Sequence, residues 1–294
     1  MILVTGGTGF VGPRVVHALR AAGKDVRCLV RRPDRAATLE TWGCELAVGD
    51  VTDAASLQAA AAGCDAVVHL VAIIAGKPAD FERVMVEGTG NVLAAAQAAG
   101  VRRFVLMSAL GTGEETKGLV PYYGAKWAME QATKASGLEH VIFRPSFVFG
   151  TTGGVLPLFV RQVRWSPVTA VVGNGERRLQ PIWVDDVAAH FAEAVDLPAA
   201  ANRTFDLGGP DQVTWNELYA RIAHALGKRR RQAHLPTGLV RIGAAAAELL
   251  PKPPITRDQL TMLEATDSVC DIGPARAVFG LDLLSLDDQL HRAT

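Results

Sequence analysis

The sequence carries no surplus of either charge: 30 lysines and arginines balance 30 aspartates and glutamates in 294 residues. A chain held mainly to phosphate backbones needs a basic surplus, so nucleic acid is excluded as the main partner and only a local basic patch remains open. Cysteine is scarce. Cys28, Cys44, Cys64 and Cys270 show neither CxxC spacing nor a histidine at ligand distance in sequence, and read as small buried hydrophobes in a reducing compartment. No histidine has a partner at metal-binding spacing, so no metal is expected. Long apolar runs are also missing: the longest, from Gly238 to Leu250, is broken by Arg241 and Glu248 and is too short to span a bilayer. No charged leader precedes the first apolar run. The expectation is a cytoplasmic, soluble protein without a transmembrane segment.

What is present is alternation. Short β-branched runs at 2–5, 26–30, 45–48, 66–71, 104–108 and 141–145 alternate with alanine-rich helical stretches at 12–22, 36–42, 54–62, 81–99 and 122–136. The strands are apolar on both faces, and glycines 23, 43, 63, 100 and 137 stand where helices should stop. This pattern predicts an α/β fold: a doubly wound parallel sheet of the Rossmann kind. After Gly150 the rhythm breaks, leaving amphipathic helices at 216–226 and 239–250 and alanine runs at 59–62 and 244–247. We expect a dinucleotide-binding domain at 1–150, with return segments near 178–212, and a smaller irregular C-terminal substrate lobe at 151–294.

Between the first strand and the first helix lies TGGTGFVG, with Gly6, Gly9 and Gly12 spaced by two residues. Glycine there permits a tight turn, close approach to a pyrophosphate and close helix–strand packing, and the helix start supplies amide donors and partial positive charge. The strand–turn–helix setting makes the motif informative. The second strand ends in Val30-Arg31-Arg32-Pro33, with no acid until Asp34. An acid in this region, about 20 residues beyond the glycines, usually receives an unphosphorylated ribose. Two guanidinium groups suit a 2′-phosphate instead, so NADP(H) is expected over NAD(H); plain solvated loop charges are the alternative. Asp50 and Val51 follow the third strand, where they either meet an adenine or, for the aspartate, cap the helix near Asp53. Val71, Ala72 and Ile73 close the fourth strand with apolar side chains over which a cofactor can lie.

Tyr122 and Lys126 stand four apart in PYYGAK, on one helical face. An ammonium beside a phenol favours phenolate, so the pair is expected to lower the Tyr122 pKa from ~10 towards neutrality and make it a proton carrier in hydride transfer.

These features together resemble the short-chain dehydrogenase/reductases over nearly the whole length, in their extended and atypical branches. TGGTGFVG, GDVTD (49–53), AVVHLVA (66–72), VEGTGNVLAAAQAAGV (86–101), RPSFVFG (144–150), PIWVDDVA (181–188) and FDLGGPDQVTWNEL (205–218) carry the likeness. ERVMVEGTGNV with RRFVLMSALG is most similar to the atypical group related to an accessory subunit of respiratory complex I. The resemblance implies a Ser/Thr–Tyr–Lys set: Tyr122 as acid/base, Lys126 as its tuner and ribose holder, Ser108 as third member. It implies cofactor contacts from Gly6, Thr8, Gly9, Phe10, Val11, Gly12, Arg31, Arg32, Asp50, Val51, Val71, Ala72, Met107, Lys126, Pro145, Phe147 and Val148. It gives Asp185 and Asp186 a helix-capping role near Val187, and makes helices near 81–99 and 122–136 the faces through which relatives dimerise.

The chain departs from the family twice. Ala109 stands where the substrate-binding hydroxyl belongs, with Thr112 as the nearby substitute, and Met85 stands where an asparagine is usual. Gly111 to Leu119 reads as a flexible active-site loop. Val155, Leu156, Leu158, Phe159 and the apolar stretch 235–253 either line a cleft for an apolar small molecule or form the lobe's own core. Lys228 to Arg231 either sit favourably at a helix C-terminus or meet an anionic ligand or lipid headgroups. The expected function is an NAD(P)-dependent oxidoreductase acting on a carbonyl or alcohol. The alternatives are a non-catalytic dinucleotide-binding protein for assembly or redox sensing, and a sugar-nucleotide epimerase or dehydratase.

Overall fold

The computed structural model describes residues 1–248, 256–265 and 267–294. The alternating apolar runs become β1 (Ile2–Thr5), α1 (Gly12–Ala21), β2 (Val26–Val30), α2 (Ala37–Thr41), β3 (Glu45–Val48), α3 (Ala54–Ala61) and β4 (Ala66–His69). Then come α4 (Pro78–Phe81), α5 (Gly88–Ala98), β5 (Arg103–Met107), α6 (Pro121–Ala135) and β6 (Glu139–Pro145). The chain next forms β7 (Val148–Phe149), α7 (Leu156–Trp165), β8 (Val168–Val172), β9 (Arg178–Leu179) and β10 (Ile182–Trp183). It continues through α8 (Val184–Ala194), β11 (Arg203–Leu207), β12 (Val213–Thr214), α9 (Trp215–Ala225) and β13 (Arg231–Leu235). The last helices are α10 (Thr237–Ala247), α11 (Arg257–Ala265), α12 (Gly273–Phe279) and α13 (Leu286–Ala293).

Two units emerge. The first takes Met1–Pro145, Val184–Leu207 and Ile272–Leu281; the second takes Ser146–Trp183, Gly208–Asp271 and Asp282–Thr294. The expected boundary at 150 thus falls at 145, the return segment is 184–207 rather than 178–212, and α12 rejoins the first unit. Pairing explains the return: without β11, the buried strand β6 would be an open sheet edge.

The first unit is a seven-stranded parallel sheet in the order β11-β6-β5-β4-β1-β2-β3. The order reverses between β1 and β4, which opens a crevice at their carboxyl ends. The five helix-stopping glycines all adopt left-handed φ between 69° and 76°. β3 departs from the expectation of strands buried on both faces: it is an edge strand, and its Val48 is 64% exposed. The helix expected at 81–99 runs from Pro78 to Ala98, with a π-helical turn at Glu82–Glu87. That wider turn surrounds the fully buried Met85, whose carbonyl accepts from the Thr89 hydroxyl at 2.5 Å.

Aromatic packing locks the returning segments to the sheet. Phe143 of β6 lies 4.9 Å from Phe191 of α8, 5.5 Å from Phe279 of α12 and 6.0 Å from Phe205 of β11, centroid to centroid. Arg103, buried at the start of β5, donates to the carbonyls of Ala194 and Leu197 at 2.8 and 2.9 Å, closing the end of α8, and to Glu139 at 2.8 Å.

The second unit holds three two-stranded pairs, β7 with β10, β8 with β13, and β9 with β12. Its helix α9 starts with a capping box between Thr214 and Glu217, and Leu156, Val160, Val163, Leu218, Ile222 and Leu290 fill its interior. Among its described residues, the apolar stretch 235–253 adds little to that core: on α10 only Ala244 is buried, and Leu239 and Ile242 are 65% and 70% exposed. Residues 249–253 of that stretch, with the expected helix end at Leu250, lie outside the described residues. Among the described residues no helix is long and apolar enough to cross a membrane.

Phe143→Ala should destabilise the protein by about 3–5 kcal/mol in a urea titration, since it empties the contact that joins β6 to α8, β11 and α12. A loss below about 1 kcal/mol would mean that these segments hold to the sheet by other means.

Candidate active site

The sequence-selected residues of the first unit cluster at the carboxyl ends of its strands: the glycine turn after β1, Arg31 and Arg32 after β2, Asp50 and Val51 after β3, Val71 and Ala72 after β4, Met107 and Ser108 around the end of β5, and Pro145 closing β6. The glycine turn is built for close approach. Gly6 has φ 81°, and a Cβ there would meet the Leu70 main chain at 3.0 Å. At Gly12 a Cβ would lie 2.2 Å from the Gly6 carbonyl, so no side chain fits where α1 begins. Thr8 and Gly9 are exposed, Phe10 is half-buried and Val11 is buried at the helix N-cap. The turn is a cradle of backbone amides at a helix start, which fits a pyrophosphate.

Arg31 and Arg32 are exposed; Arg31 approaches Asp50 at 3.9 Å. Asp50 is held by its own turn, accepting from the Thr52 amide and hydroxyl at 2.9 Å each, while Asp53 caps α3 through the Ala55 amide. Val51 turns inward, its Cγ2 2.9 Å from where a Gly88 Cβ would stand, so its side chain belongs to the core rather than to a face open for an adenine. Val71 is half-buried and Ala72 exposed.

Tyr122 and Lys126 meet as their spacing requires, but ring to ammonium: Lys126 Nζ is 5.9 Å from the Tyr122 ring centroid and donates to the Met107 carbonyl at 2.6 Å. The expected lowering of the phenol is reversed. Burial pushes Tyr122 above its ordinary value, with Tyr123 adding to it, and pushes Lys126 down to about 7 against the opposing pull of Glu130. The physical reason is desolvation, which outweighs the charge contact because the ammonium faces the ring and is itself buried.

Ser108 is committed elsewhere. Buried, it donates to Glu130 Oε1 at 2.6 Å and lies 3.5 Å from the Thr112 hydroxyl. Glu130 also receives both arms of Arg144, at 2.7 and 2.6 Å. A serine whose proton points at a carboxylate does not offer it to a substrate oxygen. The stretch expected as a flexible loop is tied down: Thr116 donates to the Gly111 carbonyl at 2.5 Å, and the Lys117 amide to Gly113 at 3.0 Å. Gly111, with φ 84°, leaves room for the Tyr123 hydroxyl, 2.9 Å from where its Cβ would be.

Phe147 and Val148 belong to the second unit, where Phe147 packs edge-on against Trp215 at 5.6 Å and Val148 pairs with Ile182. Asp185 and Asp186 sit inside the first turn of α8, which begins at Val184 rather than near Val187; there they favour the helix start by charge, and Asp185 lies 3.6 Å from Arg14.

Residues 6–157 match a family model described as NAD(P)H-binding. The chain belongs to this family, as an atypical short-chain dehydrogenase/reductase. A ceramide reductase of Caulobacter vibrioides is 30% identical to it, over 96% of this chain and 85% of its own. A 2-alkyl-3-oxoalkanoate reductase of Stenotrophomonas maltophilia is 29% identical, over 99% and 97%. The fold matches that of an NADPH-dependent quinone oxidoreductase from Escherichia coli complexed with NADPH, with TM-score 0.81 at 20% identity over 99% and 98% of the two chains.

In this short-chain dehydrogenase/reductase three site residues escaped the sequence reading: Glu130, Arg144 and His69. Glu130 stands one helical turn beyond Lys126 and Arg144 opens RPSFVFG, so spacing and motif both pointed to them. His69, inside AVVHLVA, is fully buried and bridges Thr5 at 2.6 Å to Thr89 at 3.0 Å. Thr89 gives its proton to Met85, so it accepts from Nε2–H, and Thr5 donates to Nδ1. Burial and the nearby Lys126 push His69 from 6.5 down to about 3.

Below pH 6.5 the unfolded chain binds a proton on this ring that the folded chain refuses until about 3, so stability falls with pH across that window. His69→Gln should therefore have a flatter stability curve between those limits in urea titrations run from neutral to acid pH. Equal slopes in the variant and the wild type would assign the acid sensitivity to other groups.

Proposed function

We propose that this protein reduces a carbonyl group on an apolar small molecule, using NADPH in preference to NADH. The observation that carries the reading is the placement of Tyr122 and Lys126 at the same carboxyl edge as a glycine turn that admits no side chain at Gly12. Lys126 is anchored at the end of β5 and the glycine turn follows β1, two strands away, which is about 10 Å at ordinary strand spacing. A dinucleotide held by the glycine turn would supply hydride to the carbonyl carbon. Tyr122 gives its phenolic proton to the oxygen. A phenol holds that proton at neutral pH, and burial, which pushes Tyr122 further up, opposes the phenolate that oxidation would need. Lys126 holds the phenol's ring face and offers a donor at the end of β5. Ser108 has no part in the relay while Glu130 takes its proton; Thr112, next to it, is the remaining hydroxyl on that turn.

Two further observations support the finer terms. Arg31 and Arg32 are exposed at the end of β2, where a 2′-phosphate lies in a fold of this kind. Two similar proteins are named for the reduction of a ceramide and of a 2-alkyl-3-oxoalkanoate, and the alkyl group in the second name supports an apolar substrate. The commitment of Ser108 to Glu130, with Ala109 beside it, favours a second reading, a dinucleotide-binding protein without turnover.

Calorimetric titration and a carbonyl panel separate these readings. NADPH should bind more tightly than NADH, and Arg31→Ala/Arg32→Ala should weaken NADPH by roughly tenfold or more while sparing NADH. With long-chain ketones, Tyr122→Phe should lower NADPH oxidation by about 10²–10⁴-fold and leave NADPH affinity nearly unchanged. Tight NADPH binding with no Tyr122-dependent turnover on any ketone would transfer the case to the second reading. Equal affinity for both cofactors would remove the 2′-phosphate assignment.

A further inference from the structure

Trp165 closes α7 and is 78% exposed, more than any other large apolar side chain among the described residues. Leu158, 57% exposed, stands two helical turns before it on the same face, and Arg161 stands between them. These three, with Gln162, Ser166 and Pro167, line a shallow groove, and exposed Val168 follows at the start of β8.

The basic run after α9 comes to the same place. Lys228 Nζ donates to the Arg164 carbonyl at 2.8 Å, and Arg230 donates to the carbonyls of Val163 and Arg164 at 2.8 and 3.2 Å. A helix C-terminus thus accounts for these two cations, although the helix is α7 and not the one that precedes them. It does not account for the rest. Arg231 lies beside Val168 in the β8–β13 pairing, and Arg229 is exposed two residues earlier. The side chains of Arg161, Arg229 and Arg231 make no hydrogen bond or ion pair among the described residues. Arg161 thus lines the groove with the exposed indole, and Arg231 begins the strand paired beside Val168, two residues after the exposed Arg229, in a protein whose formal net charge is zero.

That combination selects its partner. Exposed tryptophan is the residue of the membrane–water interface, and exposed arginine finds phosphates there. A second copy of this chain would set the same unpaired cations against each other around a two-residue apolar ridge, whereas stable interfaces deplete charge at a broad apolar centre. We propose that this face of the second unit docks reversibly on an anionic bilayer surface. Trp165 and Leu158 enter the headgroup layer, and Arg161, Arg229 and Arg231 meet lipid phosphates. The inference stands apart from the proposed reduction, since it uses no residue of the first unit.

Co-sedimentation of the full chain with vesicles tests it. The protein should be retained by mixed phosphatidylcholine–phosphatidylglycerol vesicles and released by salt, and pure phosphatidylcholine should retain far less. Arg229→Glu/Arg231→Glu should weaken retention by about tenfold or more, and Trp165→Ala should weaken it too, with thermal midpoints as in the wild type. The salt dependence of the wild type tests the charge term without any variant. No retention on the anionic vesicles would overturn the proposal, as would equal retention on neutral ones or variants that bind like the wild type. Retention by duplex DNA in place of vesicles, or a Trp165-dependent dimer on sizing with no vesicle binding, would overturn it as well.

Discussion

A carboxylate with no exposure to water, that of Glu130, fixes helix α6 of this protein. A buried carboxylate survives only when its lone pairs are filled and its charge is met. Ser108 from the end of β5, both arms of Arg144 from β6 and, more distantly, Lys134 at 3.5 Å meet those needs. The consequence is geometric. Helix α6 is tied to two adjacent strands at once, and Lys126, one turn earlier, is thereby held against the Met107 carbonyl. The same bonds commit the Ser108 hydroxyl to Glu130, so a stabilising requirement of the fold decides where that proton points.

Most of the sheet was legible because parallel strands are buried on both faces and helices must stop. β1, β2, β3 and α1 to α3 lie within a residue or so of the apolar runs and glycines that announced them. The chain's route after β6 was not legible. β11 and α12 rejoin the first unit through contacts of Phe143 with Phe205 and Phe279, and a pairing between residues so far apart in sequence leaves no local period to read. The π-helical turn around Met85 was equally silent, since a widened turn keeps the apolar spacing of an ordinary helix to within one residue.

At the site, positions were more legible than states. The glycine turn follows β1, Arg31 and Arg32 follow β2, and Tyr122 and Lys126 share a face of α6, because those placements follow from motif and helical spacing. The direction of the Tyr122 shift did not follow. Spacing says that an ammonium and a phenol share a face, but only packing says whether the cation meets the oxygen or the ring, and how much water either one keeps. Val51 shows the same limit: a valine after a strand can face a ligand or the core, and the missing side chain of Gly88 draws it to the core.

Burial acts on the inner groups of the first unit with one rule, since it penalises whichever form is charged. Tyr122 moves up, while Lys126 and His69 move down to about 7 and about 3, so all three are driven towards neutrality. Glu130 and Arg144 meet each other through two short hydrogen bonds, at 2.7 and 2.6 Å. Exposed positive charge is left to the rim, at Arg32 and at Arg31 beside Asp50, and to the amides at the start of α1, where Pro13 removes a donor that the helix could not use for itself. Under the proposed function, attraction for a polyanionic dinucleotide arises at groups other than the one that gives a proton. The exposed arginines follow β2 and the phenol stands on α6, so a substitution at the one leaves the surroundings of the other in place.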